Sequence, residues 1–197
     1  MSDAIFEGDD DGNTPLDEEE KEGLIPTYIA LRSELNEAEQ INIDQGQTWA
    51  LDRRRDVLDK DYLFELHRRM FGEVWKWAGA QRMTGKNLGV DPIRIVSELY
   101  LMLDDVRYWI EHGTYPSDEI AIRFHHRLVQ IHAFPNGNGR HGRLAADLLA
   151  LQLGQPVFTW GSKANLTAHN ETRGRYIAAM RMADNHDIQP LLDFARS

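Results

Sequence analysis

Apolar residues recur at helical spacing along most of the chain. Leu63, Leu66, Met70, Phe71, Val74 and Trp77 share one face of a segment that opens at Asp61. Ile95, Val96, Leu99, Leu103, Val106 and Ile110 do the same over residues 93–112. Pro116-Ser117-Asp118-Glu119 reads as a helix start, and the helix beyond it carries Ile120, Phe124, Leu128 and Ile131. Residues 144–153 are almost wholly apolar and predict the most buried helix, ended by Gly154 and Pro156. Upstream, Thr14-Pro15-Leu16-Asp17 before Glu18 and Glu19 predicts a helix start, with Gly23 as its end. Tyr28, Leu31, Leu35 and Ala38 give residues 27–46 helical spacing, and residues 47–58 continue it with Trp49, Ala50 and Leu51 inward. Downstream, Asn170 or Thr172 opens a helix through Tyr176, Ile177, Met180 and Ala183, and residues 187–194 form a short last helix. The periodicity breaks over residues 78–92, where Gly79, Gly85, Asn87, Gly89 and Pro92 fall. A short β-hairpin or extended flap is expected over residues 81–90. The fold class is all-α with this one small hairpin.

Charge changes the picture at one end only. Residues 1–22 hold ten acids and one base, whereas the remaining 175 residues hold 22 acids and 21 bases. Residues 1–13 therefore read as a disordered acidic tail on a nearly neutral body. A neutral body argues against a broad nucleic-acid groove. The 197 residues suit one domain with a sizeable core, and 42% hydrophobic content is ordinary. With no cysteine, no basic-then-apolar leader and no run long enough to span a bilayer, a soluble cytoplasmic protein is expected.

Candidate chemistry concentrates in thirteen positions from Ile131 to Arg143, reading I-H-A-F-P-N-G-N-G-R-H-G-R. Gly137, Asn138 and Gly139 make a turn whose backbone, free to take positive φ, can aim several N–H groups at one point as an anion nest. The residues from Arg140 on read as a helix, so its positive N-terminal end faces the same point. Arg140 and Arg143, three apart, share a helix face and can reach one polyphosphate. Phe134 is an apolar anchor that should point inward and turn His132 outward. An imidazole there can take a proton near neutral pH. Taken singly, each feature also fits a plain turn, a structural histidine or a solvated face. His67 fits a structural role. His125, His126, His132 and His141 have no carboxylate at ligand spacing among them, and ordinary structural roles fit them better than a metal.

These residues resemble the Fic-family signature H-x-F-x-[D/E]-G-N-G-R-x-x-R at His132, Phe134, Gly137, Asn138, Gly139, Arg140 and Arg143. The departure is Asn136, where the family usually carries Asp or Glu. From about residue 14 the chain resembles the bacterial Fic subgroup called mobile mystery protein B. The resemblance implies a Fic-fold helical bundle with a small β-hairpin flap. It implies an acidic tail (1–13), an N-terminal helical segment with a candidate inhibitory helix (14–60) and a Fic core (61–197). It also implies protein adenylyltransferase activity, with His132 deprotonating a Ser, Thr or Tyr hydroxyl of a target that then takes AMP from ATP. Gly137, Asn138, Gly139, Arg140 and Arg143 would hold the phosphates, and Tyr176 would lie near the base. Asn136 stands where the family acid holds Mg²⁺; an amide oxygen can ligate a hard cation but carries no charge. The flap, following Trp77-Ala78-Gly79, would register the target by strand addition. Ser33 and Glu37 match the inhibitory-helix pattern [S/T]-x-x-x-E-[G/N], with Ala38 as a departure. By resemblance Glu37 would pair with Arg143 and block the γ-phosphate.

Two other readings stay open. Asn136 also fits a catalytically weak nucleotide-binding regulator, in complex with the helix-turn-helix protein that accompanies the subgroup or as a homodimer. Relatives with altered motifs imply a variant transferring another phosphate-containing group.

Overall fold

The computed structural model describes residues 16–161 and 171–197. The expected acidic tail over 1–13, the start at Thr14 and Pro15, and Asn170 lie outside them. Eight α-helices run through the described residues: α1 (Glu18–Lys21), α2 (Arg32–Asp52), α3 (Lys60–Phe71), α4 (Ile95–His112), α5 (Ser117–Ile131), α6 (Asn138–Gln152), α7 (Glu171–Asp184) and α8 (Gln189–Arg196). A 3₁₀ turn, Pro92–Arg94, leads into α4.

Helix α6 is central, packing on α5, α3 and α2. Nine of its fifteen residues are buried, Leu144, Ala145, Ala146, Leu148, Leu149 and Ala150 among them, as its apolar run predicts. Helix α2 lies along α3, and Leu35 and Ala50 join the cluster that holds Leu63, Leu66 and Met70. Gly46 permits this approach: a Cβ there would fall 2.9 Å from the Met70 backbone. Helix α4 is pinned to α5 by the buried Glu98, which accepts from Arg94 and from Arg127.

Several boundaries differ from the sequence pattern. Helix α1 is one turn long because Asp17 and Glu20 close a capping box around it, and Gly23 follows. Helix α2 stops at Asp52, six residues short of the expected end. Helix α3 is capped by Asp59, which accepts from the Tyr62 N–H at 2.8 Å; Asp61 sits inside the first turn. The helix ends at Gly72, and Val74, Trp75 and Trp77 lie in the turns beyond. Trp75 forms an isolated antiparallel bridge with Leu24. Val96 and Ile110, expected on the inner face of α4, are more exposed than Ile95, Leu99, Leu103 and Val106.

The expected β-hairpin over residues 81–90 is replaced by an extended loop without strand pairing. Its backbone bonds run to the α5–α6 connection instead: Arg82 N–H donates to Ala133 (3.0 Å) and Val90 N–H to Ile131 (3.3 Å). The Arg82 guanidinium also occupies the Thr84 and Val90 carbonyls. A ladder across the loop would need those same groups.

Candidate active site

The α5–α6 connection places His132 at the C-cap of α5 with φ +57. A non-glycine residue held in the left-handed region costs about 1 kcal/mol or more and persists only where its surroundings fix it. Phe134 points inward, stacked on His67 with ring centroids 3.7 Å apart. His67 in turn is locked in one tautomer. Its Nδ1 accepts from the Gly79 N–H (3.0 Å), so Nε2–H donates to the Asn136 carbonyl (3.0 Å). Burial, then the neighbouring His141, pushes its pKa well below the usual range, so it stays neutral.

Gly137 takes φ +79 and serves as N-cap of α6. Only glycine fits there, since a Cβ would also fall 2.7 Å from the Phe71 ring. Asn138 closes the loop with two bonds to one residue. Its Oδ1 accepts from the Phe134 N–H (3.0 Å), and its Nδ2 donates to the Phe134 carbonyl (2.8 Å). Its side chain is thus a clasp, and its backbone N–H, like that of Gly139, belongs to the first turn of α6, where N–H groups have no partner within the helix.

Both arginines lie in that first turn and a half. Arg143 folds back toward it, its Nη1 lying 3.7 Å from where a Gly139 Cβ would be. Burial lowers the Arg143 pKa, and the Arg140 charge adds to it. Arg143 also lies over the Tyr176 ring at 5.5 Å. Both arginines thus belong to the N-terminal turns of α6, Arg140 turned to Glu39 and Arg143 to Tyr176. Tyr176 is buried, and its hydroxyl meets Nε2 of the buried His125 at 3.0 Å. Asp147, one turn beyond Arg143, accepts from the Phe158 N–H and the Trp160 indole, and burial raises its pKa to about 6.

Two expectations need correction. His132 does not face outward: it is 6% exposed. The 81–90 loop lies over it, and Gly89, at φ +100, comes so close that a Cβ would fall 2.6 Å from the His132 Cβ. Burial lowers the His132 pKa to about 4, with Arg82 and Lys86 adding to the effect and the Val129 carbonyl opposing it. Nδ1 lies 3.3 Å from that carbonyl, which assigns the proton to Nδ1 and the lone pair to Nε2.

The second concerns the acid on α2. Ser33 and Glu37 are exposed, and among the described residues neither is bonded to Arg143. The acid that enters the motif is Glu39, which receives Arg140 Nη1 at 2.5 Å and the Trp75 indole N–H at 2.7 Å. Burial works to raise the Glu39 pKa, but the Arg140 charge and the two hydrogen bonds outweigh it and hold it low. The reason is helical phase. Leu35, Glu39, Asn42, Gly46 and Ala50 form the buried stripe of α2, and Glu37 lies about 200° around the helix from Glu39. Arg82 was also missed; its one sequence signal is a lone arginine in a glycine-rich loop.

Asn136 Oδ1 accepts from the Gly137 N–H (2.6 Å) and lies 3.4 Å from Arg140 Nη2. A neutral oxygen already receiving donors, beside a cation, does not fit a resident divalent-metal ligand. Among the described residues no cluster of three or more His, Cys, Asp or Glu could hold a metal.

Residues 57–150 match the sequence model of the Fic/DOC family. Over that stretch the chain is a Fic/DOC family member. It is 30% identical over 149 residues to protein adenylyltransferase fic-1 of Caenorhabditis elegans, covering 73% of this chain and 28% of the relative. Against protein adenylyltransferase Fic of Drosophila melanogaster it is 29% identical over 154 residues, 74% of this chain and 28% of the relative. The chain thus spans less than a third of these relatives' length. A solved Fic-1 fragment from C. elegans superposes with a TM-score of 0.66 at 25% identity, covering 89% of this chain and 51% of the fragment. BepC from Bartonella tribocorum, solved with bound AMPPNP, shares the fold with a TM-score of 0.65 at 18% identity, covering 91% and 97% of the two chains. Among the described residues no helix is long and apolar enough to cross a membrane.

Proposed function

We propose that this Fic domain transfers AMP from ATP to a hydroxyl of a target protein. One observation carries the reading: the clasped loop leads into the N-terminus of α6, whose first turns carry Arg140 and Arg143, with a neutral imidazole at the head of the same loop. The named adenylyltransferase relatives support the choice of AMP.

In this reading the triphosphate of MgATP, taken up as the substrate complex, lies against the N–H groups of Asn138 and Gly139, while the Gly137 N–H stays with Asn136 Oδ1, and Arg140 and Arg143 offset its charge. The target segment runs along residues 81–90, whose main chain lies over the base. The lone pair on His132 Nε2 takes the proton of a Ser, Thr or Tyr hydroxyl. The oxygen forms a bond to the α-phosphorus, the bond from that phosphorus to the bridging oxygen breaks, and pyrophosphate leaves. The His132 proton then returns to solvent. Tyr176, beneath Arg143, orients that guanidinium.

Incubating the chain with α-labelled ATP and cell lysate tests this. Label should appear on protein and disappear with His132→Ala; label that survives the substitution, or none with the wild type, rejects it. A second reading, a nucleotide-binding regulator with weak transfer, is favoured by Asn136, which removes the motif's own negative charge, and by Glu39, which occupies Arg140. It predicts tight ATP binding without label.

A further inference from the structure

The carbonyls of Ile131, His132 and Ala133 are consecutive, and all three accept from the loop over residues 81–90. Val90 N–H serves Ile131 and Arg82 N–H serves Ala133, while Arg82 Nε donates to the His132 carbonyl at 2.6 Å. The same guanidinium donates through Nη1 to the Thr84 carbonyl (2.8 Å) and through Nη2 to the Val90 carbonyl. Arg82 is 1% exposed, and burial lowers its pKa, so the site holds a costly cation. Only the planar fork of arginine can serve three carbonyls from two limbs of a loop and a neighbouring turn. What it fixes is the one residue of the turn held at an unfavourable φ, His132. Gly89 completes the fit, since a Cβ there would fall 2.7 Å from Arg82 Nη2.

We infer that Arg82 is a positioning residue for His132, locking the backbone of the imidazole to the loop above it so that base and cover move as one unit. The inference rests on the proposed role of His132 as base. Arg82 has no bond to Arg140 or Arg143, so its removal should disturb the base and leave the phosphate cradle intact.

The test uses the full chain with Arg82→Met and Arg82→Lys. The imidazole nitrogen resonances of His132 are followed through a pH titration, and ATP affinity is measured separately. In Arg82→Met the His132 midpoint should rise by about one unit or more as the loop lifts and water enters. ATP affinity should stay within about twofold, while the transfer rate at saturating ATP falls roughly tenfold to a hundredfold, as for a reacting group displaced by an ångström. Arg82→Lys, keeping the charge without the fork, should fall between. Unchanged His132 resonances, or ATP affinity falling in step with transfer, overturns the inference. If the wild type transfers no label, the proposed reaction fails, and the titration still decides the positioning role. If Arg82→Met does not fold, Arg82→Lys decides: His132 signals unmoved in it refute the lock.

Discussion

Lowering the pH from 7 to 5 should remove much of this fold's stability, through imidazoles buried in neutral form. Burial lowers the pKa of His125 to about 3 and those of His132 and His141 to about 4. The unfolded chain titrates these groups near the ordinary value of about 6.5. Between about 4 and 6.5 the unfolded chain therefore binds protons that the folded chain refuses, so stability falls as pH drops through that window. At pH 5 each histidine costs about 2 kcal/mol relative to neutral pH, or about 5–6 kcal/mol for three. Asp147 acts in the opposite sense. Its folded pKa of about 6 lies above the ordinary 3.8, so its contribution is present at low pH and lost as pH rises through 6. On the way down to pH 5 it returns roughly 1 kcal/mol. The net loss from these four groups is about 4 kcal/mol, and His67, also buried in neutral form, adds in the same direction, against a typical domain stability of about 5–15 kcal/mol. Urea unfolding at the two pH values measures it. His141→Gln isolates one contributor, because a glutamine amide can still donate to the Leu63 carbonyl that His141 Nε2 reaches at 2.9 Å. That variant should lose about 2 kcal/mol less than the wild type between pH 7 and 5. Equal losses in the two proteins, or a wild-type stability flat across the window, would refute the reasoning.

Three further outcomes follow from the site. Asn138→Ala leaves the buried Phe134 N–H and carbonyl without their partners; unfolding free energy should drop by about 2–3 kcal/mol, and ATP binding should weaken with the loop. Glu39→Gln keeps an acceptor for the Trp75 indole but leaves Arg140 uncompensated; stability should fall by about 3 kcal/mol while ATP affinity, read by isothermal titration, rises as its phosphates lose a competitor. Asn136→Asp should raise Mg²⁺ affinity in a titration of nucleotide binding against Mg²⁺; no change would remove residue 136 from the metal's surroundings.

The helices and the glycine turn into α6 were legible because both rest on local rules. Apolar spacing gives α4 to α6, and glycine at 137 with arginines at 140 and 143 gives a positive φ and a shared face whatever surrounds them. Glu39 was legible in principle. The stripe Leu35, Asn42, Gly46 and Ala50 has a strict helical period, but three of its five members are polar or glycine, so an apolar search passes over it. The burial of His132 was not legible at all. It depends on Arg82 reaching a carbonyl fifty positions away, a contact no local pattern encodes. The missing hairpin has the same origin, since the glycines promise a turn but cannot say that a buried guanidinium will take the carbonyls a ladder needs.

In the proposed reaction these long-range contacts also set the order of events at His132. A histidine with a pKa of about 4 is always neutral at pH 7, yet it is a weak proton acceptor compared with one poised near the working pH. Burial is the main cause, and Arg82 and Lys86 add to it. Lys86 is itself held by Glu20 and lies near Asp17, so its own charge is partly compensated. A triphosphate arriving at the end of α6 brings negative charge to the same neighbourhood, and nearby negative charge favours the imidazolium. Nucleotide binding should therefore raise the His132 pKa toward the useful range before any hydroxyl is deprotonated. In the proposed reaction the imidazole is then competent as a base only when the nucleotide is in place, because burial keeps its pKa low until then.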